Sequence, residues 1–284
     1  MKKDDIKFWG MISNRIMEET HKVIKPLVGN PKSGEIVKMG ADGTPTKFID
    51  LVAEEKVVQI LEETKKPVTL ISEEIGELKI GKGQSEAVLV VDPLDGTRNA
   101  IKNIPAYGIS IAIADPRGAS KLVTDPSKLI STDVEMGFVK NFATGDIYHA
   151  KKGNGAFHNG IPIKPSQKID VSGSSIGAYI YRAKMSKIDK LCKTVRSMRI
   201  LGSVAIELCY VADGTYDAFL DIRGNLRIVD IAAAKLIIEE STGIVTDEKC
   251  QMLENGLNVL DRTSIVASCN KTIHREIIDI LGGS

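Results

Sequence analysis

Apolar residues recur at helical spacing at the start of the chain and form short continuous runs further on. Positions 6, 9, 12, 16, 23 and 27 are apolar and share one helical face, which predicts a long amphipathic helix over 5–28. A second helix is expected from Thr46, as its cap, to about Glu63. Apolar runs predict buried strands at 67–71, 87–91 and 107–114.

A glycine- and lysine-rich segment over 29–45 separates the two predicted helices. Glycines tolerate turn conformations closed to other residues, so this segment is expected to be a mobile loop or a loose hairpin. It is longer than an ordinary connection, and loops of that length often cover sites. The segment is therefore a candidate lid.

Strands and helices alternate more regularly in the second half. After a hairpin predicted over 134–140 and 146–151, strands are expected at 174–181, 198–201, 215–222, 243–246 and 264–268. Helices are expected at 186–195, from a Ser203 cap to 212, at 230–240 and from Lys271. The alternation predicts α/β layers. We expect one catalytic unit over 1–284, with an α+β subdomain over about 1–165 and an α/β subdomain over 166–284.

The segment Asp92-Pro93-Leu94-Asp95-Gly96-Thr97 directly follows the strand predicted at 87–91. Proline does not continue a ladder, so the strand is expected to stop there and to place two carboxylates on a turn. Gly96 lets the backbone approach a ligand, and Thr97 is suited to capping a helix whose first N–H groups face an anion. Carboxylates beside an anion site match what a magnesium–phosphate complex requires.

Other carboxylates fall at the ends of neighbouring elements. Glu73 follows one strand, Asp230 starts a helix, and Asp50 lies one turn into another helix. Acids brought together at one edge of a sheet repel each other, and divalent cations make such a cluster tolerable. Two or three metal ions could then hold the attacking and leaving oxygens of a phosphoryl transfer.

Composition and charge exclude several other classes. The net charge is +1 and the sequence pI is about 7.6, which argues against a nucleic-acid or membrane partner. No apolar run approaches the roughly 20 residues of a membrane span, and the N-terminus lacks the apolar core of a signal peptide. The four cysteines form no C-x-x-C pair and the histidines no H-E-x-x-H, so zinc is not expected.

Three motifs resemble the inositol monophosphatase/fructose-1,6-bisphosphatase superfamily, and the likeness spans roughly residues 5–270. They are 92–97, the upstream Ser72-Glu73-Glu74 and the downstream Val229-Asp230-Ile231-Ala232-Ala233. The chain is most similar to the archaeal type that hydrolyses both fructose 1,6-bisphosphate and inositol 1-phosphate. The resemblance implies an α-β-α-β-α sandwich, two to three Mg²⁺ per subunit (or Mn²⁺), a cytoplasmic homodimer and attack by a metal-bound water on a sugar or polyol phosphate.

The resemblance also implies roles for individual residues. One Mg²⁺ would be bound by Glu73, Asp92 and the Leu94 carbonyl, a second by Asp92, Asp95 and Asp230, and a weaker third near Glu73. Asp50 and Thr97 would position and deprotonate the water, and the Gly96 and Thr97 amides would hold phosphate. The substrate-lining residues would be Asp95, Gly96, Thr97, Arg199, Ser203, Val204 and Arg223.

The chain departs from the family pattern in two places. Val229 stands where relatives often have Trp, which puts the local packing in doubt. The spacing from Asp221 to Asp230 also differs, so Arg223 is expected to face the substrate instead of Asp221. Arg199 and Arg223, helped by Tyr179 and Arg182, would then favour a substrate with a second anionic group.

Other functions remain open at this stage. A haloacid-dehalogenase phosphatase has one residue between its two acids, whereas Pro93 and Leu94 intervene here. An NADP(H) or 3′-phosphoadenosine nucleotide phosphatase would share the metals and differ in the pocket. A non-catalytic binding protein on the same fold is a third class, although all the expected acids and Thr97 are present.

Overall fold

The computed structural model describes residues 1–117 and 128–282. Its helices are α1 (Lys3–Ile24), α2 (Phe48–Glu63), α3 (Thr97–Lys102), α4 (Met185–Thr194), α5 (Val204–Ala212), α6 (Ile228–Glu240) and α7 (Lys271–Leu281). The strands of the first half are β1 (Ile36–Met39), β2 (Pro45–Lys47), β3 (Val68–Ser72), β4 (Gly76–Ile80), β5 (Ala87–Asp95), β6 (Gly108–Ala114), β7 (Val134–Asn141), β8 (Ile147–Lys151), β9 (Ala156–His158) and β10 (Ile161–Pro162). Those of the second half are β11 (Ser175–Ala178), β12 (Ser197–Arg199), β13 (Ala218–Leu226), β14 (Ile244–Thr246) and β15 (Thr263–Ser268).

The described strands form two large sheets and one small hairpin. The larger sheet has the order β10-β9-β8-β7-β6-β5-β3-β4, and the smaller has the order β12-β11-β13-β15-β14. In the larger sheet β3 and β5 run parallel, so both strands end at the same edge. The chain passes from one sheet to the other between 162 and 175.

Helices separate and cover the two sheets. One apolar core lies between α1, α2 and one face of the larger sheet. A second lies around α5 and α6, between the two sheets, and a third packs α4 and α7 on the outer face of the smaller sheet. This stacking is the α-β-α-β-α sandwich expected from the resemblance, and the fold prediction is confirmed.

The strongly apolar helix α6 explains why the layers pack in this order. Eleven of its residues are buried, from Ile228 to Ile238, because sheets cover it on two sides. A helix that is apolar all round belongs in an interior. Val229, where relatives often have Trp, is buried in this core.

Several element boundaries differ from the sequence prediction. Thr46 lies in β2, and α2 has Lys47 as its N-cap. The strand β5 continues past Asp92 to Asp95, with an irregularity in its pairing to β6 between these two residues. Pro93 is tolerated there because a bulged position needs no ladder hydrogen bond.

The predicted lid segment contains a 3-10 turn and most of a two-stranded hairpin. A 3-10 turn over Pro31–Gly34 precedes an antiparallel hairpin formed by β1 and β2. We call residues 36–47 the β1–β2 hairpin. Among the described helices, none combines the length and apolar character needed to cross a bilayer.

Candidate active site

The irregular end of β5 places two carboxylates beside a tight turn. The Leu94 N–H donates to Asp92 Oδ1 at 3.0 Å, which orients that carboxylate. Gly96 follows with φ 81°, and a Cβ there would lie 2.7 Å from the Ala106 carbonyl oxygen. Glycine is therefore required for the turn that starts α3 at Thr97.

Three acids from three elements converge at this edge. Glu73 follows β3, Asp92 lies on β5 and Asp230 is the third residue of α6. One ligand oxygen from each lies within 4.8 Å of the others, a spacing that a single divalent cation could bridge. The structure thus brings together three of the four acids that the sequence predicted as metal ligands, Asp95 being outside this set.

Burial and mutual repulsion make this cluster unfavourable as free carboxylates. Burial raises the pKa of Asp92 well above its usual value, and the charges of Glu73, Asp95 and Asp230 raise it further. Burial likewise raises the pKa of Glu73 to about 8 and that of Asp95 to about 7. A bound cation would remove this cost, so the donor set fits a hard divalent metal ion.

Asp95 has a different environment from the three converging acids. Its carboxylate accepts hydrogen bonds from Ser203 Oγ at 2.6 Å, the Val204 N–H at 3.1 Å and the Ala205 N–H at 2.9 Å. It therefore fastens the start of α5 to the end of β5. This explains why Ser203 and Val204, expected to face the substrate, lie near the acids.

Asp50 and Thr97 form a separate pair beside the cluster. Thr97 Oγ1 lies 2.7 Å from Asp50 Oδ1 and 3.1 Å from the Leu94 carbonyl oxygen. Burial raises the pKa of Asp50, although the Thr97 hydrogen bond opposes that rise. The pairing expected from the sequence is present in the structure.

These groups border a cavity of about 500 Å³. The predicted site residues on its wall are Glu73, Asp92, Leu94, Asp95, Gly96, Thr97, Val204, Arg223 and Asp230. Asp50 and Ser203 are not on the wall itself, but each is hydrogen-bonded to a residue that is: Asp50 to Thr97 and Ser203 to Asp95. Besides these acids the wall carries arginines that lie outside the acid cluster, which we call the arginine rim: Arg98, Arg182, Arg223 and Arg262.

The structure places the two predicted substrate arginines in different surroundings. Arg199 is not on the cavity wall: its Nη1 donates to Ser197 Oγ at 3.0 Å, and its guanidinium lies 6.0 Å from the Tyr216 ring. Arg199 is the last residue of β12, which lies at the edge of the smaller sheet.

Arg223 does line the cavity but is already paired. It donates to Asp221 through Nε at 2.9 Å and Nη2 at 2.6 Å, and it stacks 4.2 Å from the Tyr181 ring. The expected helper Tyr179 is buried and donates its hydroxyl to Glu207 at 2.8 Å.

Sequence reasoning missed several charged groups on the wall. They are Asp42, Lys47, Arg98, Arg227 and Arg262. Arg227 precedes Asp230 by three residues at the start of α6. Residues at this spacing are neighbours on a helix, so the sequence could have predicted their contact. Asp42 is distant in sequence and gave no such signal.

The family model described as "Inositol monophosphatase family" matches residues 11–282. The chain belongs to the inositol monophosphatase family. A protein of Methanothermobacter thermautotrophicus named fructose-1,6-bisphosphatase/inositol-1-monophosphatase is 52% identical, with 99% of each chain covered. The expected membership, and the expectation of a phosphatase of this family, are thereby confirmed.

Other proteins are also similar to this chain. A bifunctional NADP phosphatase/NAD kinase of Methanocaldococcus jannaschii is 40% identical over 95% of this chain, which spans 50% of that protein. A solved Pyrococcus horikoshii structure, titled a hypothetical protein with similarities for inositol-1 monophosphatase, superposes with a TM-score of 0.81 at 31% identity. That match covers 96% of this chain and 98% of the other.

Proposed function

We propose that this phosphatase is a Mg²⁺-dependent phosphate monoester hydrolase acting on fructose 1,6-bisphosphate and inositol 1-phosphate. The observation that carries the proposal is the convergence of Glu73, Asp92 and Asp230 within 4.8 Å, beside the Asp50–Thr97 pair. The 52% identical relative is named for both activities, which supports the choice of substrates.

The residues present fit a magnesium centre. The carboxylates supply hard oxygen donors, and a bound cation would offset the burial and mutual repulsion that raise their pKa values. We assign Glu73, Asp92, Asp95 and Asp230, with the Leu94 carbonyl, to hold two to three Mg²⁺, or Mn²⁺ in its place. When bound, the metal supplies charge that stabilises the phosphoryl group in the transition state and activates water.

The side chains beside the acids would direct the attack. The Thr97 hydroxyl donates to Asp50, and because Thr97 lines the cavity its oxygen would be free to accept a hydrogen bond from a water molecule. Asp50 has a raised pKa and is therefore a better proton acceptor than an exposed aspartate. The amides at Gly96 and Thr97 would hold phosphate oxygens. Because a water molecule would attack phosphorus directly, no covalent nucleophile is needed.

A second anionic group on the substrate would meet the arginine rim. Arg182 lines the main cavity and also the adjoining one of about 320 Å³, where Lys184 lies. Because Asp221 already pairs with Arg223, we assign the larger share of this recognition to Arg182. Arginine suits a phosphate group because its N–H groups match two oxygens at once.

Phosphate release from both substrates, with and without Mg²⁺, tests the proposal. We expect activity with Mg²⁺ that is lost with a chelator and restored by Mg²⁺ or Mn²⁺. Full activity in the chelator would contradict the metal assignment. A trapped phosphoaspartate at Asp92 or Asp95 would contradict direct attack by water.

NADP(H) or 3′-phosphoadenosine nucleotide hydrolysis is the second candidate function. The 40% identical relative, named in part as an NADP phosphatase, and the arginine rim favour the first of these substrates. A kcat/KM panel over the four substrates decides between the candidates. The homodimer is a further prediction, which sedimentation equilibrium measures, and the cytoplasmic location stays a prediction.

A further inference from the structure

Arg227 places a positive charge inside the acid cluster. Its Nη1 donates to Glu73 and, at 2.9 Å, to Asp42 Oδ2. Its Nη2 donates to Asp230 Oδ1 at 2.8 Å. One guanidinium therefore joins the end of β3, the start of α6 and the β1–β2 hairpin.

Two of these three partners belong to the acid set assigned to the metal. Glu73 and Asp230 converge with Asp92, so a cation held by all three would share oxygens with the guanidinium. The Arg227 side chain is only 18% exposed, and a guanidinium does not lose its proton in a protein. It thus stays charged and partly neutralises the acids.

Asp42 differs from the other two partners because it lies outside the converging set. Its Oδ1 accepts from the Thr44 N–H and the Thr44 hydroxyl, each at 2.8 Å, which fixes the carboxylate at the tip of the hairpin. Its other oxygen faces Arg227, and only 1% of the side chain is exposed. Asp42 can keep a guanidinium that has left Glu73 and Asp230.

We propose that Arg227 is a built-in counter-cation that competes with the divalent metal for Glu73 and Asp230, and that Asp42 retains its guanidinium once the metal has bound. The inference rests on the proposed metal dependence. Carboxylates at this spacing repel each other without a cation. A guanidinium stabilises the metal-free protein, and it must be displaced before those oxygens can coordinate an ion.

A purely structural ion pair makes a different prediction. If Arg227 only anchored the start of α6, its removal would loosen Asp230 and weaken metal binding. If it competes with the metal, its removal should tighten metal binding and destabilise the metal-free protein. The two roles therefore shift the dissociation constant in opposite directions.

The test measures Mg²⁺ affinity by calorimetry and Mn²⁺ affinity by electron paramagnetic resonance on chelator-treated protein. For Arg227→Gln we expect about tenfold tighter binding, equivalent to about 1.4 kcal/mol, together with a lower Tm of the metal-free protein. Arg227→Lys keeps the charge but loses the forked contacts. Its metal affinity should therefore lie between those of the wild type and Arg227→Gln.

Arg98→Gln is the matched control. Arg98 is an exposed arginine on the same cavity wall, and its substitution removes the same charge from the same cavity. It should tighten metal binding by much less than Arg227→Gln. Equal effects of the two substitutions on metal affinity would mean that the loss of one positive charge from the cavity explains both. That result would overturn the proposed competition between Arg227 and the metal.

Asp42→Asn tests the second half of the inference through a double-mutant cycle. In the wild type, loss of Asp42 removes the alternative partner of the guanidinium and should weaken metal binding. In the Arg227→Gln background, only the smaller effect of one fewer negative charge should remain. An equal effect in both backgrounds would overturn the retaining role of Asp42.

The failures of the inference and of the proposed function are distinguishable. A wild-type protein that binds neither Mg²⁺ nor Mn²⁺ would overturn both. A wild type that binds metal and hydrolyses phosphate, with an Arg227→Gln variant that binds metal equally or more weakly, would overturn the inference alone.

Discussion

At the scale of single residues, the two aspartates of the 92–97 segment have different partners. Asp95 accepts three hydrogen bonds from the start of α5, whereas Asp92 accepts one, from Leu94. Asp92 also experiences the repulsion of Glu73, Asp95 and Asp230. The same substitution should therefore affect metal-free stability differently at the two positions.

Asp92→Asn and Asp95→Asn should both abolish most activity but move the Tm of the metal-free protein apart. In Asp92→Asn the amide oxygen can still accept from Leu94, and the lost charge relieves repulsion, so the Tm should hold or rise. In Asp95→Asn the new amide N–H₂ group faces existing donors, which should cost about 1–3 kcal/mol. Thermal unfolding in a chelator measures both variants, and equal shifts would contradict the distinction.

Thr97→Ala should lower kcat by about 100-fold, in the range for a proton-transfer contact, with a smaller effect on KM. The change removes the hydroxyl that contacts Asp50, while the backbone amide remains. Thr97→Ser keeps the hydroxyl and should restore most of kcat. A change confined to KM would make Thr97 a binding residue, contrary to the role proposed for it.

At the scale of elements, the site depends on the turn that joins β5 to α3. Gly96 combines a positive φ with a backbone that leaves no room for a side chain, since a Cβ would approach the Ala106 carbonyl to 2.7 Å. Gly145 shares the positive φ, at 84°, but has open space around it. Comparing substitutions at Gly96 and Gly145 therefore distinguishes the cost of backbone strain from the cost of steric overlap.

Gly96→Ala should destabilise the protein by more than the roughly 1–3 kcal/mol expected for a strained backbone alone, and should reduce kcat/KM. The added methyl group must push α3 away from the chain at Ala106, which moves Thr97. Gly145→Ala, on the turn between β7 and β8, should show the strain cost and near-normal kcat/KM. Urea unfolding gives the stabilities, and equal losses in both variants would contradict the steric argument.

The segment over 29–45, which contains most of the β1–β2 hairpin, was expected from the sequence to be a mobile loop or a loose hairpin. The structure gives it paired strands and attaches its tip to Arg227 through Asp42. Its mobility remains a prediction. Amide exchange over 36–47, slower with metal and substrate than without, would support a lid, and equal rates would contradict one.

At the scale of the whole molecule, the buried acids couple folding to pH. Burial raises the pKa of Glu73 from 4.5 to about 8 and that of Asp95 from 3.8 to about 7 in the folded, metal-free protein. The folded state therefore binds protons more tightly than the unfolded state. The resulting stability is fully present below the unfolded values and is lost as pH rises through the folded ones.

We expect the Tm of the metal-free protein to fall between about pH 5 and pH 8. Saturating Mg²⁺ should flatten this dependence, because a bound cation favours the ionised acids. Calorimetric scans across the range, with a chelator and with Mg²⁺, measure both curves. A chelated protein whose Tm rises with pH over this interval would show that the acids ionise freely on folding.

Local sequence was sufficient for most elements and for the acids themselves. The apolar spacing of α1 and the runs of β5 and β6 are set by neighbouring residues, so periodicity predicted them. The motifs placed carboxylates at the ends of elements, and parallel β3 and β5 bring two of those ends to one edge. The boundary at Pro93 was wrong because the irregular pairing with β6 could not be seen locally.

Tertiary packing decided which charged groups meet. Arg227 contacts Glu73 across 154 residues and Asp42 across 185, and no local pattern encodes such separations. The sheet order put Arg199 on an edge strand, and Arg199 is not among the residues on the cavity wall. The sequence determined the elements and the acids because periodicity and turn chemistry act over a few residues. Only the structure decided that Arg227 meets Glu73 and Asp42, because a long side chain pairs with whichever distant groups the packed layers bring within reach.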